Sequence, residues 1–127
     1  MFKVHEDLSI SLTRGDKVYL QVKAKIHGNQ YKFSKNEVIR FSVSESKDVS
    51  SVVLTKDVIV DEETEAVKII LEENETRIGE PINKPKIYWY EVELNPDTNP
   101  CTIIGYGEDG AKTFTIYPEI ENADNKR

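Results

Sequence analysis

The most regular feature of the chain is an alternation of apolar and polar positions over residues 17–26. Apolar side chains stand at every second position from Val18 to Ile26, and lysines, a glutamine and Tyr19 stand between them. Successive side chains of a β-strand point to opposite faces of its sheet, so a period of two is typical of a strand with one buried face. This stretch therefore predicts a strand with Tyr19 on its polar face.

Shorter runs of the same kind predict strands at residues 8–13, 39–44, 67–71, 86–94, 102–106 and 113–117. Residues 51–55 and 58–60 form either two short strands or one bent strand. The turns at residues 14–16, 27–29 and 108–110 each contain a glycine, which supplies the backbone freedom that a tight reversal needs. The first and last of these turns predict hairpins, and the Asp-Gly pair of the last is a strong hairpin signal.

The composition also favours strands. Val and Ile total 25 residues against 10 for Leu and Ala, and branched side chains pack well on pleated sheets. We therefore predict an all-β fold, an immunoglobulin-like antiparallel β-sandwich of about seven to nine short strands, with at most one short helical turn near residues 72–79. Residues 1–120 form a single domain, and residues 121–127 form a flexible C-terminal tail.

The predicted core takes one face of each strand, because two packed sheets need apolar side chains at every second position. Its members are Val18, Leu20, Val22, Ile39, Phe41, Val43, Leu54, Val67, Ile69, Leu71, Tyr90, Val92, Ile103, Phe114 and Ile116. A chain of 127 residues buries about two thirds of its surface and needs neither disulfides nor metal to form such a core.

The net charge of the chain is −6, from 17 basic and 23 acidic residues. An acidic chain lacks the basic patches on which nucleic-acid binding depends, so no nucleic-acid partner is expected. No apolar run approaches the roughly 18 residues of a membrane span, and the first residues lack the plan of a signal peptide. The single cysteine, Cys101, excludes an intramolecular disulfide and a zinc site with several cysteines.

Acidic side chains concentrate in residues 61–80, which contain eight acids and two bases. Such a segment can bind calcium or a basic partner, or it can consist of solvated turns around a strand. Its acids do not follow the spacing of an EF-hand loop, and no glycine stands where that loop turns sharply. We therefore predict solvated turns and no metal ligand, with calcium as the alternative.

The sequence shows no combination of nucleophile, base and orienting group that predicts catalysis. His5 lies in an N-terminal arm and His27 beside a turn, where a solvated histidine is expected. Cys101 is expected to pack as a small side chain at the start of a strand. Residues 14–16 match the Arg-Gly-Asp tripeptide of integrin ligands, but a turn between strands explains them without that function. We predict no catalytic residue, no cofactor and no enzymatic activity.

A series of short motifs resembles the N-terminal domain of phage baseplate upper proteins. Residues 12–16, Leu-Thr-Arg-Gly-Asp before an alternating strand, resemble the opening of that domain. Further motifs follow in the order of the family at residues 38–43, 51–54, 65–71, 86–92 and 110–118. Together they span roughly residues 8–118, and the chain is also similar to short prophage-encoded proteins of Gram-positive bacteria.

The resemblance implies a non-catalytic structural or attachment module of a phage or prophage tail or baseplate. Its partners would be other tail or baseplate subunits or a second copy of the chain. It also implies synthesis in the bacterial cytoplasm without a signal peptide, and a place in the virion. The alternative is a small ligand-binding β-domain for carbohydrate or calcium, which would use exposed Tyr and Trp side chains or the acidic residues 61–80.

Trp89, Tyr19 and Ile87 are the candidate interface residues. Alternation along residues 86–94 sets Ile87 and Trp89 on the face opposite Tyr90, a predicted core residue. Large aromatic side chains left outside a small core are enriched at the centres of protein interfaces. The alternative for Trp89 is that it packs into the sandwich or under a loop.

Overall fold

Eleven β-strands occur in the computed structural model, which describes residues 2–26, 28–47, 51–81, 83–104 and 112–119. In chain order they are β1 (Lys3–Val4), β2 (Ile10–Thr13), β3 (Val18–Val22), β4 (Lys25–Ile26), β5 (Asn29–Gln30), β6 (Val38–Ser44), β7 (Val52–Ile59), β8 (Val67–Leu71), β9 (Lys86–Leu94), β10 (Cys101–Ile104) and β11 (Lys112–Tyr117). The described residues contain no α-helix. One hydrogen-bonded turn spans residues 72–76, where the Thr76 N–H donates to the Glu72 carbonyl oxygen.

The large sheet has the strand order β1-β2-β11-β9-β6-β7, and β10 also pairs with β9. Its β2 and β11 run parallel, whereas its other neighbouring strands run antiparallel. The second sheet consists of β3 and β8, which are antiparallel, and β4 and β5 form a short ladder of their own. The all-β class is therefore confirmed, while the immunoglobulin-like arrangement stays a prediction.

Two of the predictions change, and one open alternative is decided. The alternating stretch at residues 17–26 divides into β3 and β4, which pair with different strands. Residues 52–59 form one strand, β7, whose register shifts opposite Val43 and Ser44. The turn at residues 14–16 leads from the large sheet to the small one, so the hairpin predicted there is wrong.

The hairpin predicted between the last two strands is also wrong. Both β10 and β11 pair antiparallel with β9, β10 along its last residues and β11 along its first. They consequently run in the same direction along one edge of β9, whereas the strands of a hairpin run in opposite directions. The turn at residues 108–110, His27 and the tail at residues 121–127 lie outside the described residues.

The core lies between the two sheets and matches the predicted faces. All predicted core residues are buried except Leu54 and Ile103, which are partly buried and pack against the core. The structure adds buried apolar side chains that the prediction did not include: Ile10, Leu12, Ala24, Phe33, Val60, Ile78, Tyr88 and Leu94. Ala24, Tyr88 and Leu94 each continue a predicted row. Phe33, by contrast, lies outside any alternating run and forms a β-bridge with Thr64.

A cluster of charged residues, called the clasp below, connects the segment after β8 to the end of the large sheet. Its members are Arg14, Arg77 and Glu119. The Arg14 guanidinium donates to the Gly79 carbonyl oxygen at 2.8 Å and to the Glu119 carboxylate at 3.4 Å. Arg77 donates to the other oxygen of Glu119 at 3.1 Å. Gly15 has a φ of +91°, and a Cβ there would lie 2.8 Å from the Arg77 guanidinium. The turn therefore requires glycine for its backbone, whereas the flexible end of the Arg77 side chain could move away from a Cβ.

Candidate functional site

Trp89 and Ile87 lie on the outer face of the large sheet. Their row on β9 alternates with buried Tyr88 and Tyr90, as the period-two pattern requires. Ile87 is 55% exposed, and Trp89 is half-buried. The Lys47 ammonium lies 4.7 Å from the centre of the Trp89 ring, a cation–π distance. Trp89 thus stays outside the core, as predicted, with a lysine over one part of its surface.

Tyr19 lies on the outer face of the small sheet, away from the other two candidates. It is 54% exposed and stands opposite Ile70 of β8. The Lys17 ammonium lies 5.5 Å from its ring centre. Since the two sheets face each other across the core, their outer faces point in opposite directions. The structure therefore brings Trp89 and Ile87 together and separates them from Tyr19.

The outer face of the large sheet beside this row is mainly acidic. Arg40 of β6 donates to both carboxylate oxygens of Asp57 at 2.8 and 3.0 Å and also pairs with Asp97. These bonds from Arg40 hold the pKa of Asp57 below its usual value. On β9, burial raises the pKa of Glu91, and the neighbouring charge of Glu93 raises it further. A partner that binds to this face therefore contacts carboxylates around the apolar side chains of Ile87 and Trp89.

The acidic segment at residues 61–80 separates into exposed and structural side chains. Asp61, Glu62 and Glu63 are exposed in the loop that follows β7. Glu75, by contrast, accepts from the Lys56 ammonium at 3.0 Å and from the Glu72 N–H at 2.8 Å. Among the described residues, no three His, Cys, Asp or Glu side chains lie close enough together to hold a metal ion.

We expect calcium to leave the thermal stability of the protein unchanged. An ion that binds only the folded chain raises its melting temperature by mass action, and the exposed acids of residues 61–63 converge on no common point. The melting temperature should therefore be the same with millimolar calcium and with chelator. A rise of several degrees with calcium that disappears in Glu62→Gln and Glu63→Gln variants would contradict this expectation.

The residues considered for catalysis occupy separate places. His5 is half-buried, and its Nε2 lies 2.9 Å from the Ser11 hydroxyl on the outer face of β2. Cys101 is exposed at the start of β10, not packed as expected. It lies on the rim of a groove of about 480 Å³ whose apolar side chains include Leu94 and Ile103. His5 and Cys101 thus lie in different parts of the fold, and the packing expected for Cys101 is wrong.

A partly buried carboxylate, that of Glu37, organises the loops near β6. Glu37 accepts from the Tyr31 hydroxyl, the Ser34 N–H and the Asn95 side-chain amide. Burial would raise the pKa of Glu37, but these three donors outweigh it and lower the pKa. The same hydrogen bond raises the pKa of Tyr31 to about 12. Every oxygen of this carboxylate has a donor, so Glu37 fixes the loops rather than offering a reactive group.

The Arg-Gly-Asp tripeptide at residues 14–16 is used inside the fold. The Arg14 side chain is only 10% exposed because it belongs to the clasp with Glu119. Asp16 accepts from the Thr13 N–H at 2.9 Å and so closes the turn. Integrin ligands must present both side chains to solvent, and here the arginine is not available.

The exposure of apolar side chains on the edge strand β7 was not predicted from the sequence. Val52, Val53 and Ile59 of this strand are all exposed. The apolar runs at its two ends are visible in the sequence, but they were compatible with burial as well as exposure. Only the position of β7 at the edge of the sheet shows that these side chains face solvent.

Comparisons with protein-family models, with curated proteins and with solved structures found no match to this chain. In the part of the chain that the structure describes, no helix is long and apolar enough to span a membrane.

Proposed function

We propose that the protein is a non-catalytic attachment module that works through protein–protein contacts made by the outer faces of its sheets. The observation that carries the proposal is the exposure of Ile87 at 55% and Tyr19 at 54% on these faces. Exposed apolar and aromatic side chains of this size supply contact area at low entropic cost. The Trp89–Ile87 row is the primary docking surface, and Tyr19 provides a second contact on the opposite side.

The proposed setting is the tail or baseplate of a phage or prophage, with other tail subunits as partners. It rests on the ordered motifs between residues 8 and 118. The test has two parts: the identity of the neighbouring genes, and capture of their tail proteins by the purified protein. Binding to a neighbouring tail subunit supports the proposal, whereas a gene outside any tail cluster together with no capture contradicts it.

Replacing Trp89 with alanine should leave the fold intact and weaken binding to the captured subunit. Trp89 lies outside the core, so the free energy of unfolding should fall by no more than about 2 kcal/mol. Loss of an interface tryptophan commonly costs about 2 kcal/mol or more, which is about 30-fold in the dissociation constant. Thermal melting and titration of the captured subunit measure the two effects.

Val4→Ala is the matched control for Trp89→Ala. Val4 is 43% exposed on the far edge of the same sheet, so its truncation should change neither stability nor binding. If Trp89→Ala unfolds the domain, Trp89 belongs to the core and the docking surface is wrongly placed.

The second candidate, a domain that binds carbohydrate or calcium, gains no specific support. Tyr19 and Trp89 lie on opposite faces and cannot stack on the same sugar ring. The acidic residues 61–80 are divided between exposed loop positions and the structural pair Lys56–Glu75.

A further inference from the structure

The strand β7 forms an open edge of the large sheet and carries exposed apolar side chains. It ends the strand order of the large sheet, and within the described residues no strand pairs with its other side. Of the large hydrophobic side chains left exposed there, Ile59 is the most exposed at 66%, and Val52 and Val53 are exposed by 43% and 40%. An open edge of this length is a template for pairing with another strand.

The backbone groups of β7 determine which residues can pair outward. The Val60 N–H donates to the Glu37 carbonyl oxygen next to the end of β6. Backbone groups of successive residues alternate in direction along a strand. The N–H and C=O groups of Thr55, Asp57 and Ile59 therefore point away from β6, toward the open side.

Residues 53–59 read almost the same in both directions. Lys56 stands at the centre, with one polar residue and then two apolar residues on each side of it. We propose that β7 pairs antiparallel with β7 of a second copy of this chain, about a two-fold axis at Lys56. In this register Thr55 lies opposite Asp57 of the second copy, and Ile59 lies opposite exposed Val53 of the second copy.

Neighbouring registers match less well. An axis at Thr55 sets Val53 opposite Asp57, and an axis at Asp57 sets Lys56 opposite Val58 and Thr55 opposite Ile59. The register at Lys56 pairs apolar with apolar and polar with polar side chains on both faces, which is the condition for stable cross-strand pairs. In this register the outward backbone N–H and C=O groups of Thr55, Asp57 and Ile59 also face the second strand and can form hydrogen bonds with it.

The charge of Lys56 is compensated at the proposed axis. A lysine that points inward from an edge strand usually opposes pairing, because pairing would bury its charge. Here Lys56 is paired with Glu75 at 3.0 Å, with side chains 30% and 23% exposed. Two such ion pairs meet at the axis, and neither copy contributes an uncompensated charge.

The resulting contact is isologous and closes as a dimer. It joins two large sheets edge to edge and leaves the outer faces with Trp89 and Tyr19 uncovered. The inference is thus separate from the proposed attachment to tail subunits, and either can fail without the other. A contact through one strand pair is small, so we expect a dimer that depends on protein concentration.

Site-specific crosslinking tests the register. In a Cys101→Ser background, which removes the exposed native thiol, Lys56→Cys places two cysteines opposite each other at the axis. Mild oxidation should convert it to a covalent dimer. Ile59→Cys is the matched control, since its two copies would lie about six positions, or roughly 20 Å, out of register. Equal crosslinking of both variants would overturn the proposed register.

Sedimentation of the chain without cysteine substitutions tests the dimer itself. Its mass should rise from one to two chains with increasing concentration. Thr55→Pro removes an outward N–H without breaking a bond to β6, so it should weaken dimerisation by at least about tenfold. At a concentration at which both proteins are monomeric, it should leave the melting temperature unchanged. A chain that stays monomeric at millimolar concentration, or dimerisation unaffected by Thr55→Pro, would overturn the inference.

Discussion

Replacing Phe41 with alanine should lower the free energy of unfolding by about 3–5 kcal/mol. Phe41 is completely buried in the middle of β6, and its ring lies 5.4 Å from that of Tyr90 and 5.9 Å from that of Phe114. Truncation removes this aromatic contact and leaves a cavity that the neighbouring strands β7 and β9 cannot close. The cost is a large fraction of the roughly 5–15 kcal/mol that stabilises a domain.

Thermal and denaturant unfolding measure this loss, with Tyr19→Ala as the control. Tyr19 is also an aromatic residue on a strand, but it is 54% exposed, so its truncation should cost no more than about 1 kcal/mol. A Phe41→Ala protein as stable as the parent would show that Phe41 is not part of the core.

Replacing Glu119 with glutamine should destabilise the protein by about 3–5 kcal/mol, because it leaves a buried charge without its partner. The Arg14 and Glu119 side chains are only 10% and 8% exposed. Arg14 Nε is already buried without a hydrogen-bond partner among the described residues, so the guanidinium depends on the carboxylate for its compensation. The substitution also removes the ion pair between Arg77 and Glu119.

Glu45→Gln is the matched control for Glu119→Gln. Glu45 pairs with Lys86 at 3.1 Å, but the two side chains are 54% and 45% exposed. Solvent screens such a pair, so its loss should cost no more than about 1 kcal/mol. Denaturant unfolding of the two variants distinguishes a buried from an exposed ion pair, and equal stabilities would contradict the importance of the clasp.

The sequence predicted the faces of the strands better than their partners. Alternation correctly assigned Tyr90 to the core and Ile87 to an outer face. It could not show that Tyr19 and Trp89 lie on different sheets, because each pattern is local to its own strand. The patterns therefore assigned Tyr19 and Ile87 correctly to outer faces, while the use of these residues and Trp89 as an interface stays a prediction.

The hairpin predicted for the last two strands failed for a related reason. An Asp-Gly pair favours a tight turn locally, but strand pairing depends on which edges are available. β9 has nine residues, enough to pair with β10 near its end and with β11 near its start. Both strands therefore pair with this long neighbour, β10 along residues 92–94 and β11 along residues 86–90.

By itself, the sequence determined the strand content, most of the buried rows and the outward positions of Tyr19, Ile87 and Trp89 on their strands. These follow from chain geometry, since a period of two needs only the neighbouring residues. The tertiary structure alone decided the order of the strands, the open edge at β7 and the clasp of Arg14 with Glu119, which lie 105 positions apart. Such features depend on competition among strand edges and on contacts between distant parts of the chain, which no local pattern encodes.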